Sequence, residues 1–330
     1  MQIWYSESDI PADFGQTALT IGIFDGVHRG HSEILAQTVA LARQQNLQAL
    51  ALTFQPHPRT VHCPEQDLKL VTSLEDRLER LEAAGIDIVF VQHYDLQFAA
   101  TPPEQFIAEL LVQKLHAKAV VVGEDVRFGK NNSGDRKLLA EVGGKLGIDV
   151  RIIADICDAA GRRWSSSWVR DLLAQGDVAG AARVLGRPHR IRGVVEHGFK
   201  RGRELGFPTA NLSAPSLGEI PAQGVYAGWL VQEVSGTKAI AKLPAAISIG
   251  MNPQFSGEKL TVEAHVLGRA DLNLYGQEIA IDFIEYLRPM MKFDSVAQLL
   301  AQMDDDLRRC ALVLGVPVAY RVNPQDVTAQ

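Results

Sequence analysis

Gly22-Ile23-Phe24-Asp25-Gly26-Val27-His28-Arg29-Gly30-His31 closes an apolar run, Leu19–Phe24, and opens a stretch with helical spacing at Ile34, Thr38 and Leu41. Strand, glycine-rich turn and helix in that order predict a phosphate-handling helix start, where unpaired N–H groups and the helix dipole attract an anion. Gly22, Gly26 and Gly30 let backbone approach that anion closely. His28 and His31 can donate hydrogen bonds to phosphate oxygens as charge builds in a transition state. A zinc site built on the same two histidines needs further ligands at suitable spacing, and the sequence offers none. A capped helix with incidental histidines is the plainer alternative.

Outward from this motif the pattern repeats. Ala49–Phe54, Ile86–Val91, Ala119–Gly123 and Val150–Ala154 are further near-continuous apolar runs, as expected of strands buried on both faces of a parallel sheet. Helical periodicity lies between them, for example at Leu74, Leu78 and Leu81. The alternation predicts a doubly wound, Rossmann-like α/β domain whose ligands sit at the carboxyl ends of the strands. After Leu185 the character changes. Gly186-Arg187-Pro188-His189-Arg190 reads as a short linker, and the runs Val225–Val231, Ala246–Ile249, Leu260–Leu267 and Glu278–Phe283 predict a small antiparallel barrel or sandwich. An amphipathic helix over Ser295–Val313, with Leu299, Met303 and Leu307 on one face, closes the chain. The expected domains are therefore 1–186 and 187–330.

A chain of 330 residues is long for one core, at roughly 150 residues per domain. Its 46% hydrophobic and 22% charged content is that of a globular protein. A net charge of -6 argues against a general affinity for nucleic acid. Cys63, Cys157 and Cys310 lie far apart with no CxxC spacing, which predicts neither a disulfide framework nor a zinc knuckle. No stretch approaches the roughly 20 apolar residues of a membrane helix, and no signal peptide opens the chain; the expected compartment is the cytoplasm. The sequence is compatible with a monomer or a homo-oligomer.

Taken together, G-x-F-D-G-x-H-x-G-H resembles the signature of the bifunctional riboflavin kinase/FMN adenylyltransferase (FAD synthetase) family, within the nucleotidyltransferase superfamily. Three more elements in order strengthen the resemblance. Thr53-Phe54-Gln55-Pro56-His57-Pro58 is similar to a family loop that helps form a flavin pocket, though alone it reads as a turn after a strand. Gly123-Glu124-Asp125-Val126-Arg127-Phe128-Gly129 resembles G-x-D-F-R-F-G; by that resemblance Phe128 stacks on the isoalloxazine ring, Arg127 meets phosphate and Asp125 belongs to the flavin set. Trp164-Ser165-Ser166-Ser167-Trp168-Val169-Arg170 resembles I-S-S-T-x-I-R, which implies a clamp on departing pyrophosphate; alone it is a serine-rich helix start. The implied catalytic residues are His28, His31, Ser165 and Arg170. Gly22, Phe24, Asp25, Gly26, Gly30, Ser166 and Ser167 would bind ATP, and Phe54, Pro56, His57 and Pro58 would bind flavin.

The second half carries Arg201-Gly202-Arg203-Glu204-Leu205-Gly206-Phe207-Pro208-Thr209-Ala210-Asn211-Leu212, which resembles the riboflavin kinase module of the same family. The resemblance implies Gly202, Thr209 and Asn211 at ATP, Thr209 and Asn211 at Mg2+, and Gly224 and Tyr226 at flavin. Ser248–Phe255 and Asn273-Leu274-Tyr275-Gly276 follow the family only loosely. The kinase base is expected within L-R-x-E-x-K-F, where this chain reads Leu287-Arg288-Pro289-Met290-Met291-Lys292-Phe293, and neither methionine accepts a proton. Glu285 or Glu263 is then the stand-in. Without one the expectation is an FMN adenylyltransferase with a weak or inactive kinase module. The implied partners are riboflavin, FMN, FAD, ATP and pyrophosphate, with ATP as co-substrate, Mg2+, and no tightly bound prosthetic group.

Overall fold

The computed structural model describes residues 1–196, 205–212, 218–233, 240–254, 257–323 and 325, and they gather into two compact units. The first comprises Met1–Leu70 and Leu74–Ser166; the second comprises Val71–Ser73 and Ser167–Gln330.

In the first unit, β1 (Gln2–Trp4), β2 (Thr17–Ile21), β3 (Gln48–Gln55), β4 (Ile88–His93), β5 (Ala117–Gly123) and β6 (Asp149–Ile153) form one sheet in the order β1-β4-β3-β2-β5-β6. All its pairings are parallel, with Leu19 opposite Leu50 on one side and Val120 on the other. The alternation of side chains along each strand sorts the two faces. Leu19, Leu50, Leu52, Ile88, Phe90, Val120 and Val122 meet Phe106, Ile107, Leu110 and Leu139 on one face. Ala18, Ala49, Ala51, Val89, Val91, Ala119 and Val121 meet Leu35, Leu41, Leu78 and Leu81 on the other. Those last four come from α1 (Arg29–Gln45) and α3 (Leu74–Ala83), with the short α2 (Pro58–His62) between them in sequence. The opposite face is covered by a π-helical stretch, Phe106–Lys114, and by Leu139 of Arg136–Lys145. After the edge strand β1 the chain enters the middle of the sheet at β2, runs one way through β3 and β4, then crosses to β5 and β6 on the other side of β2. The crevice between β2 and β5 is thus the switch point where such sheets bind ligands.

The expected strands are all present, with shifted ends. β2 stops at Ile21 rather than Phe24, because the turn begins at Gly22 and Phe24 takes φ 53, which lays its ring against Gly22. β4 starts at Ile88 rather than Ile86. The edge strand β1 was not read from the sequence: it is three residues long and only Trp4 among them is buried.

In the second unit, β7 (His189–Glu196), β8 (Ala210–Leu212), β9 (Gly224–Glu233), β10 (Ile240–Gln254), β11 (Gly257–Val266) and β12 (Glu278–Arg288) close into an antiparallel barrel, β10-β11-β8-β7-β12-β9. Ile247 faces Tyr226 in one ladder and Ala264 in the next. The expected linker Gly186–Arg190 is only partly one. Gly186 ends the helix Val178–Leu185 in the left-handed conformation (φ 76), but His189 and Arg190 already belong to β7. Arg190 is fixed there by a two-pronged ion pair with Asp282 of β12, at 2.6 and 2.8 Å. Both helices before the barrel, Ser166–Ala174 and Val178–Leu185, fall almost wholly within the second unit, so the compact units divide earlier than the boundary read at 186. The reason is burial: Val178, Ala181, Val184 and Leu185 turn their apolar stripe to β12 and β7. The closing helix Val296–Leu314 matches its expectation, with the Ser295 hydroxyl accepting from Gln298 N as its cap.

Candidate active sites

The signature turn builds the first site. His28 stands at the N-cap of α1, its Nδ1 accepting from the backbone N–H of His31 at 3.4 Å. That bond assigns the proton of a neutral His28 ring to Nε2. One turn later the His31 ring lies on the His28 ring, 3.7 Å between centroids and 21° between planes. Gly30 is what allows this packing, since a Cβ there would lie 3.1 Å from the His28 ring. Burial, followed by the positive charges of His28, Arg163 and Arg77, holds the His31 pKa well below its ordinary 6.5. His31 is therefore a neutral donor at neutral pH. Both histidines line a cleft of about 70 Å3 with Gly123, Asp125, Asp155, Arg163 and Trp164, at the carboxyl ends of β2, β5 and β6. Arg163 spans the opening, donating to Asp125 at 2.6 Å and to Asp155 at 3.1 and 3.3 Å.

Of the residues expected at ATP, Asp25 is 2% exposed and Phe24 is 1% exposed; Phe24 lies edge-on to His31. Gly26 takes φ 77 to make the turn. Ser166 donates its hydroxyl to the Asp25 carbonyl at 2.8 Å, tying the serine run to the signature turn. Ser165 stands beside it in sequence, whereas Ser167 and Arg170 lie on the helical portion assigned to the second unit.

A residue that sequence reasoning missed holds the turn from below. Arg77 of α3, fully buried, donates through Nη1 to the carbonyls of Ile23 (3.0 Å) and Phe54 (3.4 Å) and to the Thr53 hydroxyl (3.2 Å). The Thr53 hydroxyl itself donates to Ile23 at 3.1 Å. One guanidinium thus joins the end of β2 to the end of β3, where the expected flavin loop begins. In that loop Gln55–Pro56 is cis, and His57 caps α2 by accepting from Arg59 N at 3.0 Å. Pro58 takes the first helical position, where its missing N–H costs nothing. Phe54 packs against Tyr94 and Phe98, and the Tyr94 hydroxyl meets His62 Nε2 at 2.9 Å. Tyr94, Phe98 and His62 are partly exposed rings beside the loop that no motif announced.

Two of the residues expected at flavin are buried among other rings. Phe128 is 5% exposed and packs on Phe106, 5.3 Å between centroids, with Gly134 against its edge; its ring belongs to the core rather than to an open stacking face. Asp125 and Arg127 of the same segment are exposed. Tyr226 is wholly buried in the barrel against Phe283 and Tyr286, and its hydroxyl donates to the Ala222 carbonyl. Burial, followed by Tyr286, raises the pKa of its phenol. Gly224 lies under the Tyr286 ring and the Arg288 carbonyl.

The second site is a cleft of about 190 Å3 between the barrel wall and the closing helix. Met290, Met291, Phe293, Leu299 and Met303 form an apolar wall; Thr209, Glu263, His265, Arg288 and Asp306 supply the polar groups. Arg288 and Asp306, 11% and 6% exposed, form a two-pronged pair at 2.8 and 2.7 Å that pins the end of β12 to the helix. Thr209 Oγ1 is 3.4 Å from Glu263 Oε2, and Asn211 Nδ2 is 3.4 Å from both the carbonyl and the hydroxyl of Thr209. Glu285 is exposed and outside the cleft, so of the two stand-ins only Glu263 meets the Thr209 box. Gly202 lies outside the described residues. Among the described residues no group of three or more His, Cys, Asp or Glu is disposed to hold a metal ion.

Comparison with known proteins gives matches to both halves. Residues 10–167 match the FAD synthetase family model, and residues 185–314 match the riboflavin kinase family model. Bifunctional riboflavin kinase/FMN adenylyltransferases are similar along nearly their whole length. That of Escherichia coli K12 is 37% identical over 87% of this chain and 90% of its own, and that of Bacillus subtilis 31% over 90% and 92%. A solved Streptococcus pneumoniae structure, described as a macrolide-efflux protein, superposes with a TM-score of 0.81 at 28% identity, covering 92% of this chain and 96% of its own. No described helix here is long and apolar enough to cross a membrane. With a switch-point cleft under paired histidines in one unit and a Thr209–Glu263 cleft in the other, the chain belongs to the bifunctional riboflavin kinase/FMN adenylyltransferase family.

Proposed function

We propose that the chain makes FMN from riboflavin and ATP in the barrel unit, and FAD from FMN and ATP in the sheet unit. The observation that carries the kinase half is the Glu263 carboxylate beside the Thr209 hydroxyl in an apolar-walled cleft. Riboflavin's nucleophile is an alcohol, so a positioned base aids its attack on the γ-phosphorus. Glu263 accepts the proton of the terminal ribityl hydroxyl as that oxygen bonds to phosphorus and ADP departs. The Met290 and Met291 pair then has no acid–base task; it belongs to the apolar wall that suits a flavin ring. Thr209 and Asn211 offer oxygen donors of the kind a hard cation prefers, close to a carboxylate, which fits Mg2+ shared with ATP phosphates. Bound there, the cation neutralises developing phosphate charge.

In the sheet unit the FMN phosphate is already an anion and needs no base. It attacks the α-phosphorus of ATP and pyrophosphate leaves. Positioning and charge stabilisation carry such a step. The stacked neutral His31 and the N-capping His28 donate to the reacting phosphate, and α1 adds its N-terminal dipole. Ser165, next to the Ser166 that is tied to the signature turn, acts on the departing pyrophosphate.

Purified protein with ATP and Mg2+, given riboflavin or FMN and analysed by flavin chromatography, tests this. FAD is expected from both, with FMN as the intermediate. In Glu263→Gln, FMN formation should fall by roughly 10²–10⁴ while FAD formation from supplied FMN is unchanged. A wild-type protein that leaves riboflavin untouched would overturn the kinase half; an active Glu263→Gln would remove Glu263 from the role of base.

A further inference from the structure

His265 shares the cleft wall with Glu263 and has a task the kinase chemistry does not use. It is two residues further along β11, so the two side chains stand on one face of the strand, about 7 Å apart along it. The ring is 4% exposed and lies against Phe207. Nδ1 is 2.8 Å from the Pro208 carbonyl. A carbonyl only accepts, so Nδ1 carries the proton and Nε2 is a bare acceptor. Among the described residues that Nε2 has no hydrogen-bond partner, although it is sealed from solvent and the ring lines the cleft. Buried polar atoms are nearly always paired, so an orphan inside a binding cleft marks a place for a ligand donor.

The cleft's division into walls says which donor. The apolar side, Met290, Met291, Leu299 and Met303, suits a flat aromatic ring. The β11 side is polar and begins at Glu263, which must reach the terminal hydroxyl. A polyol that starts at Glu263 and runs along β11 brings its inner hydroxyls to His265.

We propose that His265 is a substrate-binding residue of the kinase site, its Nε2 accepting a hydrogen bond from a ribityl hydroxyl of riboflavin while its Nδ1–H holds Pro208 and so positions Thr209. This rests on the kinase reading of the barrel cleft. It makes the site selective for a flavin bearing a polyol, since a ring without one leaves the buried acceptor unpaired.

Two substitutions separate the two nitrogens. His265→Asn keeps an amide N–H near Nδ1 and removes the acceptor at Nε2; His265→Gln does the reverse. In His265→Asn the KM for riboflavin should rise about 10-fold, the value of one lost hydrogen bond, with kcat nearly unchanged. Lumiflavin, the ring without the polyol, should inhibit FMN formation with the same Ki as in wild type. In His265→Gln the riboflavin KM should hold while kcat falls, through the loosened Thr209. Conversion of FMN to FAD should be unaffected in both. An unchanged riboflavin KM in His265→Asn overturns the proposal, as does a Ki for lumiflavin that rises in step, which would assign Nε2 to the ring. Abolition of FMN formation in His265→Asn also overturns it, because losing one substrate hydrogen bond raises KM without stopping turnover. Failure of the kinase reading is separate: there wild-type protein itself makes no FMN.

Discussion

The His31 ring, proposed above as a donor to phosphate, also bears on stability. Its pKa is depressed chiefly by burial, then by His28, Arg163 and Arg77. The unfolded chain takes a proton at this histidine near pH 6.5 and the folded chain does so only well below, so between the two values the unfolded state holds more protons. Stability of the sheet unit should therefore rise with pH through that window and be lost as pH falls beneath 6.5, by at most about 1.4 kcal/mol per pH unit for one proton. Denaturant titrations from pH 7 downward should show this slope, and His31→Asn should flatten it. At this scale the sequence was legible where backbone geometry decides: the expected helix start falls at the motif, with His28 at its cap and His31 stacked on it. It was opaque where a side chain's direction depends on distant packing. Phe128 and Tyr226 are aromatic and adjacent to motifs, yet Phe106 claims the first and Phe283 with Tyr286 the second. Arg77 lies in an ordinary amphipathic pattern, and nothing local reveals that its guanidinium points inward. Glu263 and Glu285 were equal stand-ins in the sequence, and only the setting of β11 beside Thr209 separates them.

Elements were easier to read than their limits. Buried parallel strands announce themselves by continuous apolar runs, and all five such runs became strands of the sheet. β1 and β8, three residues each, are too short to show a period, and β7 begins inside a segment whose Gly and Pro suggest a linker. The barrel's closure also rests on paired charges that no period displays. Arg288 joins β12 to the closing helix through Asp306, which also accepts from Gln302 at 3.1 Å. Removing one partner of a buried pair strands the other charge, at a cost of about 3–5 kcal/mol. Arg288→Ala should lower the barrel's denaturation midpoint accordingly and raise the KM for riboflavin, because both members of the pair line the cleft. Thermal melts followed by near-ultraviolet circular dichroism, with riboflavin kinetics beside them, would measure both.

At the scale of the molecule, two compact units hold chemically sequential sites, the product of one being the substrate of the other. Variants should then divide cleanly. His28→Ala with His31→Ala should leave riboflavin phosphorylation intact and halt the chain at FMN, which accumulates; the kinase variants should produce the converse. A variant of the paired histidines that still makes FAD at the wild-type rate would withdraw those residues from catalysis. Within the first unit, the two faces of the sheet are packed differently. One face is lined by Ala18, Ala49, Ala51 and Ala119, and the other by Leu19, Leu50, Leu52 and Phe90. Neighbouring positions on a single strand are thus vulnerable to opposite errors. On the alanine face a mutation does harm by adding atoms, which wedge α1 away from the strands that aim its paired histidines; on the leucine face it does harm by removing them. In a library of random variants the two faces would leave complementary scars, enlargements missing from even positions of β2 and truncations missing from odd ones.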